Sequence, residues 1–247
     1  MSTQTSIEWT EQTWNPAVGC TKISSGCAHC YAEVMARRLK AMRVPGYENG
    51  FQVTILPHRL EEPLNRTKPT VYFVNSMSDL FHEDIPDDYI RRVFDVIQRS
   101  PQHTFQVLTK RAERMATFFS DYKPPRNAWL GVTVEDKKHG LPRLMDLQQT
   151  NAINKHICCE PLLEDLGAID LTQMKWVVGG GESGPNARPA KLSWVESLLH
   201  QCEIQNVHLY WKQWGTFASD GTTGGKSQTG CLINGKAYLS FPDDLMP

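Results

Sequence analysis

The sequence of 247 residues lacks several features that mark specialised classes of protein. It has no run approaching the roughly 20 apolar residues of a membrane-spanning helix, and its polar, acidic start is unlike a signal peptide. Its net charge of −1 gives no overall bias towards nucleic acid or membranes. We therefore expect a cytoplasmic protein with no membrane partner, of a length that suits one large α/β domain or two small ones.

A disulfide framework is also not expected, because the seven cysteines are odd in number and nothing indicates secretion. Three of them, Cys20, Cys27 and Cys30, lie within eleven residues in the segment GCTKISSGCAHCYAE (19–33). In a reducing compartment such a cluster is typical of metal binding or catalysis. A zinc ribbon or finger would need a second pair of ligands, C-x2-C or H-x3–5-H, and the sequence contains none.

The cysteine cluster has three interpretations. A [4Fe–4S] cluster fits best, because three thiolates leave one iron open for a substrate or cofactor. The alternatives are a structural zinc site made by the three cysteines, with or without His29, and cysteines that bind no metal. Among the others, adjacent Cys158 and Cys159 would point to opposite faces of a strand.

Six short, uniformly apolar runs predict strands buried on both faces. They cover residues 70–76, 104–110, 128–135, 155–161, 175–183 and 207–215. Helical patterns cover residues 87–100, 191–205 with Ser193 as the expected N-cap, and 24–43 after Cys30. This alternation predicts α/β architecture with a parallel sheet, best described as a partial or distorted (β/α) barrel, resembling a TIM barrel, over residues 1–215. Residues 216–247 are expected to form a loop and a small hairpin at Asn234–Gly235, as an appendage.

Each predicted strand ends in a polar segment, and these ends would meet at one mouth of the barrel. The segments are 75–79, 109–111, 133–136, 160–161, 182–183 and 212–214. Each could equally be the polar start of an ordinary loop. The glycine-rich GGGESG (179–184) is not a P-loop, because it lacks the G-x4-G-K-[ST] pattern.

Basic residues form local groups despite the balanced total. The segment RRLKAMR (37–43) has four in seven residues, and Lys110, Arg111 and Arg114 form a second group. Such groups could contact a nucleic-acid backbone, but solvated helix faces are the commoner explanation.

Seven segments, spread along nearly the whole chain, carry a resemblance to a known family. They are IEWTEQTWNPAVGCTKISSGCAHCYAE, VYFVNSMSDLFHEDIPDDYIRRVF, HTFQVLTKRAERM, WLGVTVED, CCEPLL, WVVGGGESGPNARP and LYWKQWG. The sequence resembles the phage Gp37/Gp68 family, a domain of formerly unknown function. That family is similar to radical S-adenosylmethionine (SAM) proteins, and distantly to spore photoproduct lyase.

The resemblance extends to short motifs. Ser78–Asp79 resembles the acidic motif that follows the second strand of radical SAM proteins, and Thr109–Lys110 resembles the motif after the third. The cysteine spacing is C-x6-C-x2-C instead of the usual C-x3-C-x2-C. His29 stands where an aromatic residue usually contacts adenine, with Tyr31 just beyond.

The resemblance implies a [4Fe–4S] cluster held by the three clustered cysteines, and SAM as the second cofactor. Lys110 is expected to pair with the SAM carboxylate. The implied cofactor-binding residues are His29, Tyr31, Asn75, Ser76, Asp79, Lys110, Glu135 and Glu182. The implied partners are an electron donor such as flavodoxin or ferredoxin and a three-Cys-motif partner protein.

The predicted function is that of a radical SAM enzyme, of lyase or modification type, which generates a 5′-deoxyadenosyl radical and acts on a nucleic-acid base or nucleotide. A peptide or small metabolite is the alternative substrate. The alternative from another class is a non-enzymatic, phage-related binding protein with a structural three-cysteine site for zinc or Fe–S.

Overall fold

The computed structural model describes residues 3–5 and 7–245. Its strands are β1 (Thr3–Gln4), β2 (Gln12–Trp14), β3 (Ala17–Val18), β4 (Thr54–Ile55), β5 (Val71–Val74), β6 (Thr104–Thr109), β7 (Ala128–Thr133), β8 (Asn154–Cys159), β9 (Trp176–Gly180) and β10 (His208–Gln213). Its α-helices are α1 (Tyr31–Ala41), α2 (Asp87–Arg99), α3 (Ala112–Phe118), α4 (Lys137–Gln149), α5 (Leu192–Ile204) and α6 (Lys226–Thr229).

The main sheet has the strand order β1-β2-β5-β6-β7-β8-β9-β10. The β1–β2 pair is antiparallel, and every other neighbouring pair is parallel. Seven parallel strands therefore form a half-barrel, which confirms the predicted α/β partial barrel. The separate pair β3–β4 is antiparallel and lies at the start of the cysteine segment.

The two faces of the sheet have different roles. Side chains such as Phe105 and Leu130 belong to the large core shared with the helices. The alternate side chains, including Trp129 and Trp176, belong to a second cluster inside the half-barrel. Cys158 belongs to the inner cluster and Cys159 to the outer one, as their adjacent positions in a strand predicted.

Two details of the helices differ from the sequence analysis. The N-cap of α5 is Lys191, not Ser193, because the chain is already helical at Leu192 and the Lys191 carbonyl accepts from the Trp194 amide. Helix α4 was not predicted. Its interior contains Pro142, which lacks an amide donor and normally argues against a helix.

The C-terminal segment packs on the N-terminal ends of the last two strands. Leu245 is fully buried in the inner cluster, and the Trp176 indole donates to the Ser240 carbonyl at 3.0 Å. The predicted turn at Asn234–Gly235 is present, with positive φ at both residues. A domain boundary at 215/216 stays a prediction. Within the described residues, no helix is long and apolar enough to cross a membrane.

Candidate active site

The cysteine loop, residues 19–30, lies over the C-terminal ends of the parallel strands, which we call the mouth. Gly19 begins the loop with φ of +84°, and a Cβ there would lie 2.1 Å from the Gln52 carbonyl oxygen, so the position requires glycine. Cys27 ends a 3-10 turn, and Cys30 directly precedes α1. Together with Cys20 they are half-buried free thiols.

The first anchor of the loop is the pair Asp79–Arg111. Buried Asp79 accepts from the Thr109 hydroxyl at 2.6 Å and from the Arg111 guanidinium at 3.3 Å. Arg111 in turn reaches Cys20 Sγ at 3.5 Å and the Thr21 hydroxyl at 2.8 Å. This pair therefore joins the ends of β5 and β6 to the first cysteine.

The second anchor is the pair Glu135–Arg143. Glu135 is fully buried, and its Oε2 accepts from Arg143 at 2.6 Å, while its Oε1 accepts from the Ser24 hydroxyl. The neighbouring Ser25 hydroxyl donates to Asp136. Two consecutive serines thus bind two consecutive carboxylates after β7, which fixes the turn that carries Cys27.

The third anchor is the pair Glu182–Arg188. Arg188 donates to Glu182 from its Nε at 2.8 Å and its Nη2 at 2.6 Å, and Nη2 also donates to the Ser25 carbonyl at 3.0 Å. His29 Nδ1 lies 3.2 Å from Glu182 Oε1. Burial favours protonated Glu182, but the Arg188 hydrogen bonds outweigh it and lower the pKa of the carboxyl. The third anchor therefore holds both sides of Cys27.

The electrostatic surroundings of Cys20 and Cys27 differ. Burial and the Asp79 carboxylate raise the pKa of Cys20 to about 11, and Arg111 offsets only part of this effect. Burial also opposes ionisation of Cys27, but the Lys110 ammonium and hydrogen bonds to the thiol together lower its pKa. Cys27 is therefore the better prepared of the two thiols to act as a thiolate ligand.

Several polar groups face the interior below the loop. Lys110 Nζ lies 3.3 Å from the Thr133 hydroxyl and makes no ion pair within the described residues. Glu160 and Lys212 form an ion pair at 2.8 Å. Between the two lysines lies buried Cys158, where burial and the Glu160 carboxylate raise the pKa of the thiol to about 12. Lys110 is thus the cation of this group that has no carboxylate partner within the described residues.

Asn75 and Ser76 lie at the end of β5. Asn75 has φ of +59°, its Nδ2 donates to the Ala17 carbonyl at 3.3 Å, and its buried Oδ1 has no partner within the described residues. The Ser76 carbonyl accepts from the Tyr31 hydroxyl at 2.5 Å, although 57% of Tyr31 is exposed. An unpaired buried acceptor is costly, so Asn75 Oδ1 is ready to accept from a ligand amine or hydroxyl.

The three clustered thiols are not gathered around one point. In a tetrahedral zinc site with Zn–S bonds of about 2.3 Å, sulfurs lie roughly 3.8 Å apart. Within the described residues, the group whose ligand atoms all lie within 4.8 Å of one another is Glu135, Asp136 and His139, and the cysteines do not form such a group. Arg143 already neutralises Glu135. The three thiols thus do not form a closed zinc site in this structure, and as a donor set three thiols also suit an iron–sulfur cluster.

All eight predicted cofactor-binding residues lie at or beside the mouth. The sequence analysis missed the arginines that hold the predicted carboxylates, Arg143 and Arg188, and the two serines of the turn. It also noted Glu160 and Lys212 only as strand-end residues. Arg143 and Arg188 follow their carboxylate partners by eight and six residues, a spacing that carries no recognisable signal.

Comparison with known proteins assigns the family. Residues 4–242 match the family described as "Protein of unknown function (DUF5131)". The chain belongs to this family. No curated protein matches the DUF5131 chain. The phage Gp37/Gp68 assignment stays a prediction.

Solved structures of spore photoproduct lyase are similar to this DUF5131 protein. A cysteine-to-serine mutant of that lyase has a TM-score of 0.50 at 10% identity, covering 73% of this chain and 58% of the lyase chain. The lyase complexed with dinucleoside spore photoproduct has a TM-score of 0.49 at 9% identity, covering 81% and 63%. The chain thus spans less than two thirds of these relatives. The first of the two comparisons shows a shared fold.

Proposed function

We propose that this protein is a radical SAM enzyme with a [4Fe–4S] cluster bound by Cys20, Cys27 and Cys30. The observation that carries the proposal is the placement of three thiols in one loop over the mouth of a half-barrel. Three carboxylate–arginine pairs anchor this loop. The half-barrel similar to that of spore photoproduct lyase supports it.

The fit of the cluster is supported by the loop itself. The donor set is three thiols, and a Cβ at Gly26 would lie 3.0 Å from Glu135 Oε1, so the turn lies directly on the buried carboxylate. Together with SAM, the bound cluster would supply a 5′-deoxyadenosyl radical. Arg111 and Arg188 hold the loop in place, and we assign them positioning roles.

SAM is proposed to bind beside the loop. Among the residues that the structure describes, Lys110 has no carboxylate partner and would receive the SAM carboxylate, and Asn75 Oδ1 has no hydrogen-bond partner and would receive the SAM amine. His29, Tyr31 and Ser76 are proposed to contact the rest of the cofactor. Asp79, Glu135 and Glu182 bond arginines in the structure, so we propose that they serve the site by holding the loop.

The substrate is proposed to be a nucleic-acid base or a nucleotide. Spore photoproduct lyase acts, as its name states, on a photoproduct. With Lys110 assigned to SAM, the interior still offers the ion pair of Lys212 and Glu160, whose ammonium and carboxylate groups match an anionic phosphate and the amino groups of a base. A peptide or small metabolite remains the alternative substrate.

Anaerobic reconstitution with iron and sulfide, followed by absorption and EPR spectroscopy, tests this function. Cys20→Ala, Cys27→Ala and Cys30→Ala should each lose the cluster, whereas Cys231→Ala, a half-buried cysteine in the C-terminal segment, should keep it. A colourless protein with one zinc and no affinity for SAM would instead support the alternative, a binding protein with a structural three-cysteine site.

A further inference from the structure

Helix α1 has an exposed face that begins one turn after the cysteine loop. Met35, Arg38 and the C-cap Met42 follow one another at spacings of three and four residues, which places them on one side of the helix. Val34 borders them. We call these four residues the α1 stripe. Its apolar members are exposed, with Val34 at 50% and Met42 at 71%.

The exposed apolar side chains of the protein are concentrated here. Of the eleven large apolar side chains that are exposed among the described residues, five lie between positions 23 and 42: Ile23, Tyr31, Val34, Met35 and Met42. Single exposed apolar residues are normal on a protein surface, but a contiguous group marks an interaction site.

Positive charge lines the α1 stripe. Arg38, Lys40 and Arg43 are exposed and form no ion pair within the described residues. The charge of Arg37 is neutralised by Glu33, whose Oε1 lies 2.5 Å from Arg37 Nη2. Two such cations on α1 and a third just after it, in a chain with net charge −1, favour a partner with an acidic rim.

The composition of the stripe favours a protein over a nucleic acid. Methionine, arginine and aromatic residues are enriched in protein interfaces, whereas single-stranded nucleic acid stacks on aromatic platforms. The stripe has no aromatic ring, and the neighbouring Tyr31 is held towards the mouth by its hydroxyl, which donates to the Ser76 carbonyl. Val34, Met35 and Met42 offer no stacking surface.

The position of the stripe indicates what the partner does. Cys30 immediately precedes α1, and Met35 follows it by five residues, about 7.5 Å along a helix axis. A protein bound to the stripe would therefore lie against the loop that holds the metal ligands. Redox proteins form small, charge-steered interfaces, which one helix face can supply.

We propose that the α1 stripe is the docking surface for an acidic one-electron donor protein, for which flavodoxin serves as the probe below. This inference rests on the proposed function, because the cluster is the group that such a donor would reduce. The anionic flavin hydroquinone of the probe would give up one electron and become the neutral semiquinone, and the oxidised cluster would take up that electron.

The test compares two charge reversals, Arg38→Glu and Lys123→Glu. Lys123 is exposed on the loop after α3, at the opposite end of the sheet from the mouth, and each variant changes the net charge by the same amount. Affinity for an acidic flavodoxin is measured on cluster-free protein, and reduction of the reconstituted protein by flavodoxin hydroquinone or by dithionite is followed by stopped-flow absorption.

Arg38→Glu should weaken flavodoxin binding and slow reduction by flavodoxin about tenfold at low salt, with the difference fading at high salt. Reduction by dithionite should be unchanged, and Lys123→Glu should match the wild type throughout. Met42→Ser should also weaken binding, without a salt dependence.

Three results would overturn the inference. If flavodoxin hydroquinone reduced Arg38→Glu and Lys123→Glu at equal rates, and dithionite reduced both normally, the α1 stripe would not be the docking surface. The proposed function would be unaffected. A loss of affinity for a single-stranded oligonucleotide in Arg38→Glu, without loss of flavodoxin affinity, would make the stripe a nucleic-acid surface. A reconstituted protein without iron–sulfur absorption would remove the function and this inference together.

Discussion

The Arg188 guanidinium, in the loop after β9, donates to the backbone carbonyl of Ser25 at 3.0 Å, across a separation of 163 residues. The same guanidinium bonds Glu182, which also contacts His29. One arginine therefore joins the last part of the barrel to the turn that carries Cys27. The first predictions concern this relationship.

Replacing Arg188 should loosen the cysteine loop without unfolding the barrel. In Arg188→Met, Ser25 loses a donor and the buried Glu182 carboxylate loses its main partner, so we expect iron to be lost about 10- to 100-fold more readily to a chelator. Iron content after chelator challenge measures this. The matched control is Arg126→Met, whose exposed side chain lies at the opposite end of the sheet. Equal iron retention in the two variants would contradict the positioning role.

Gly26→Ala should displace the turn that carries Cys27. The new Cβ would lie 3.0 Å from Glu135 Oε1, which is buried and fixed by Arg143 and cannot move away freely. A clash of this kind costs about 1–3 kcal/mol. We expect reduced cluster incorporation and a lower melting temperature.

The control for Gly26→Ala is Gly225→Ala, because a Cβ at Gly225 would meet nothing within 4 Å. If both alanine variants incorporate iron as the wild type does, the turn is not packed on Glu135 in the way the structure shows.

Lys110→Met should weaken SAM binding about tenfold, because it removes the cation at the mouth that makes no ion pair within the described residues. It removes no ligand thiol, but it also removes a charge that lowers the pKa of Cys27, so SAM affinity is compared at equal cluster content. Equilibrium binding of SAM to the reconstituted protein measures the effect. Lys175→Met serves as the control, since Lys175 pairs with Asp244 at the other end of the strands. An unchanged SAM affinity in Lys110→Met would remove Lys110 from the cofactor site.

Buried His156 should make the fold sensitive to acid. Burial lowers the pKa of His156 to about 4, against an ordinary value of 6.5. Between these values the unfolded chain binds a proton that the folded chain does not, so stability is lost as the pH falls from about 6.5 to about 4. The shift corresponds to about 3 kcal/mol.

Urea unfolding at pH 7, 5.5 and 4.5 checks the role of His156. His156→Asn should flatten the dependence of the free energy of unfolding on pH over this window, whatever its effect at pH 7. Exposed His58 is the control, and His58→Asn should keep the slope of the wild type. If His156→Asn keeps that slope too, another group is responsible.

The half-barrel could be predicted from the sequence because each of its strands and helices is recognisable from the residues of that segment alone. Each inner strand, such as β7 with six buried residues, is a short apolar run, and runs of this kind alternate with amphipathic helices. The same pattern placed Lys110, Glu135 and Glu182 after their strands. Strand β2 was not predicted, because a strand of three residues, Gln12–Trp14, is too short to show a pattern.

The partners of the site residues could not be predicted in the same way. Arg143 lies on α4, and Arg188 lies in a loop, and each meets its carboxylate only because the chain folds back over the mouth. Ser24 and Ser25 contact Glu135 and Asp136 across 111 residues. A sequence pattern shows the periodicity of apolar residues within one helix or strand, whereas these contacts depend on how separate segments pack together.

The most direct test of the central claim is EPR spectroscopy of the anaerobically reconstituted and reduced protein, recorded with and without SAM. The account predicts the signal of a reduced [4Fe–4S] cluster that shifts on addition of SAM, because an iron without a protein thiolate is open to the cofactor. A cluster signal that SAM leaves unchanged, or a protein that retains no iron at all, would contradict it.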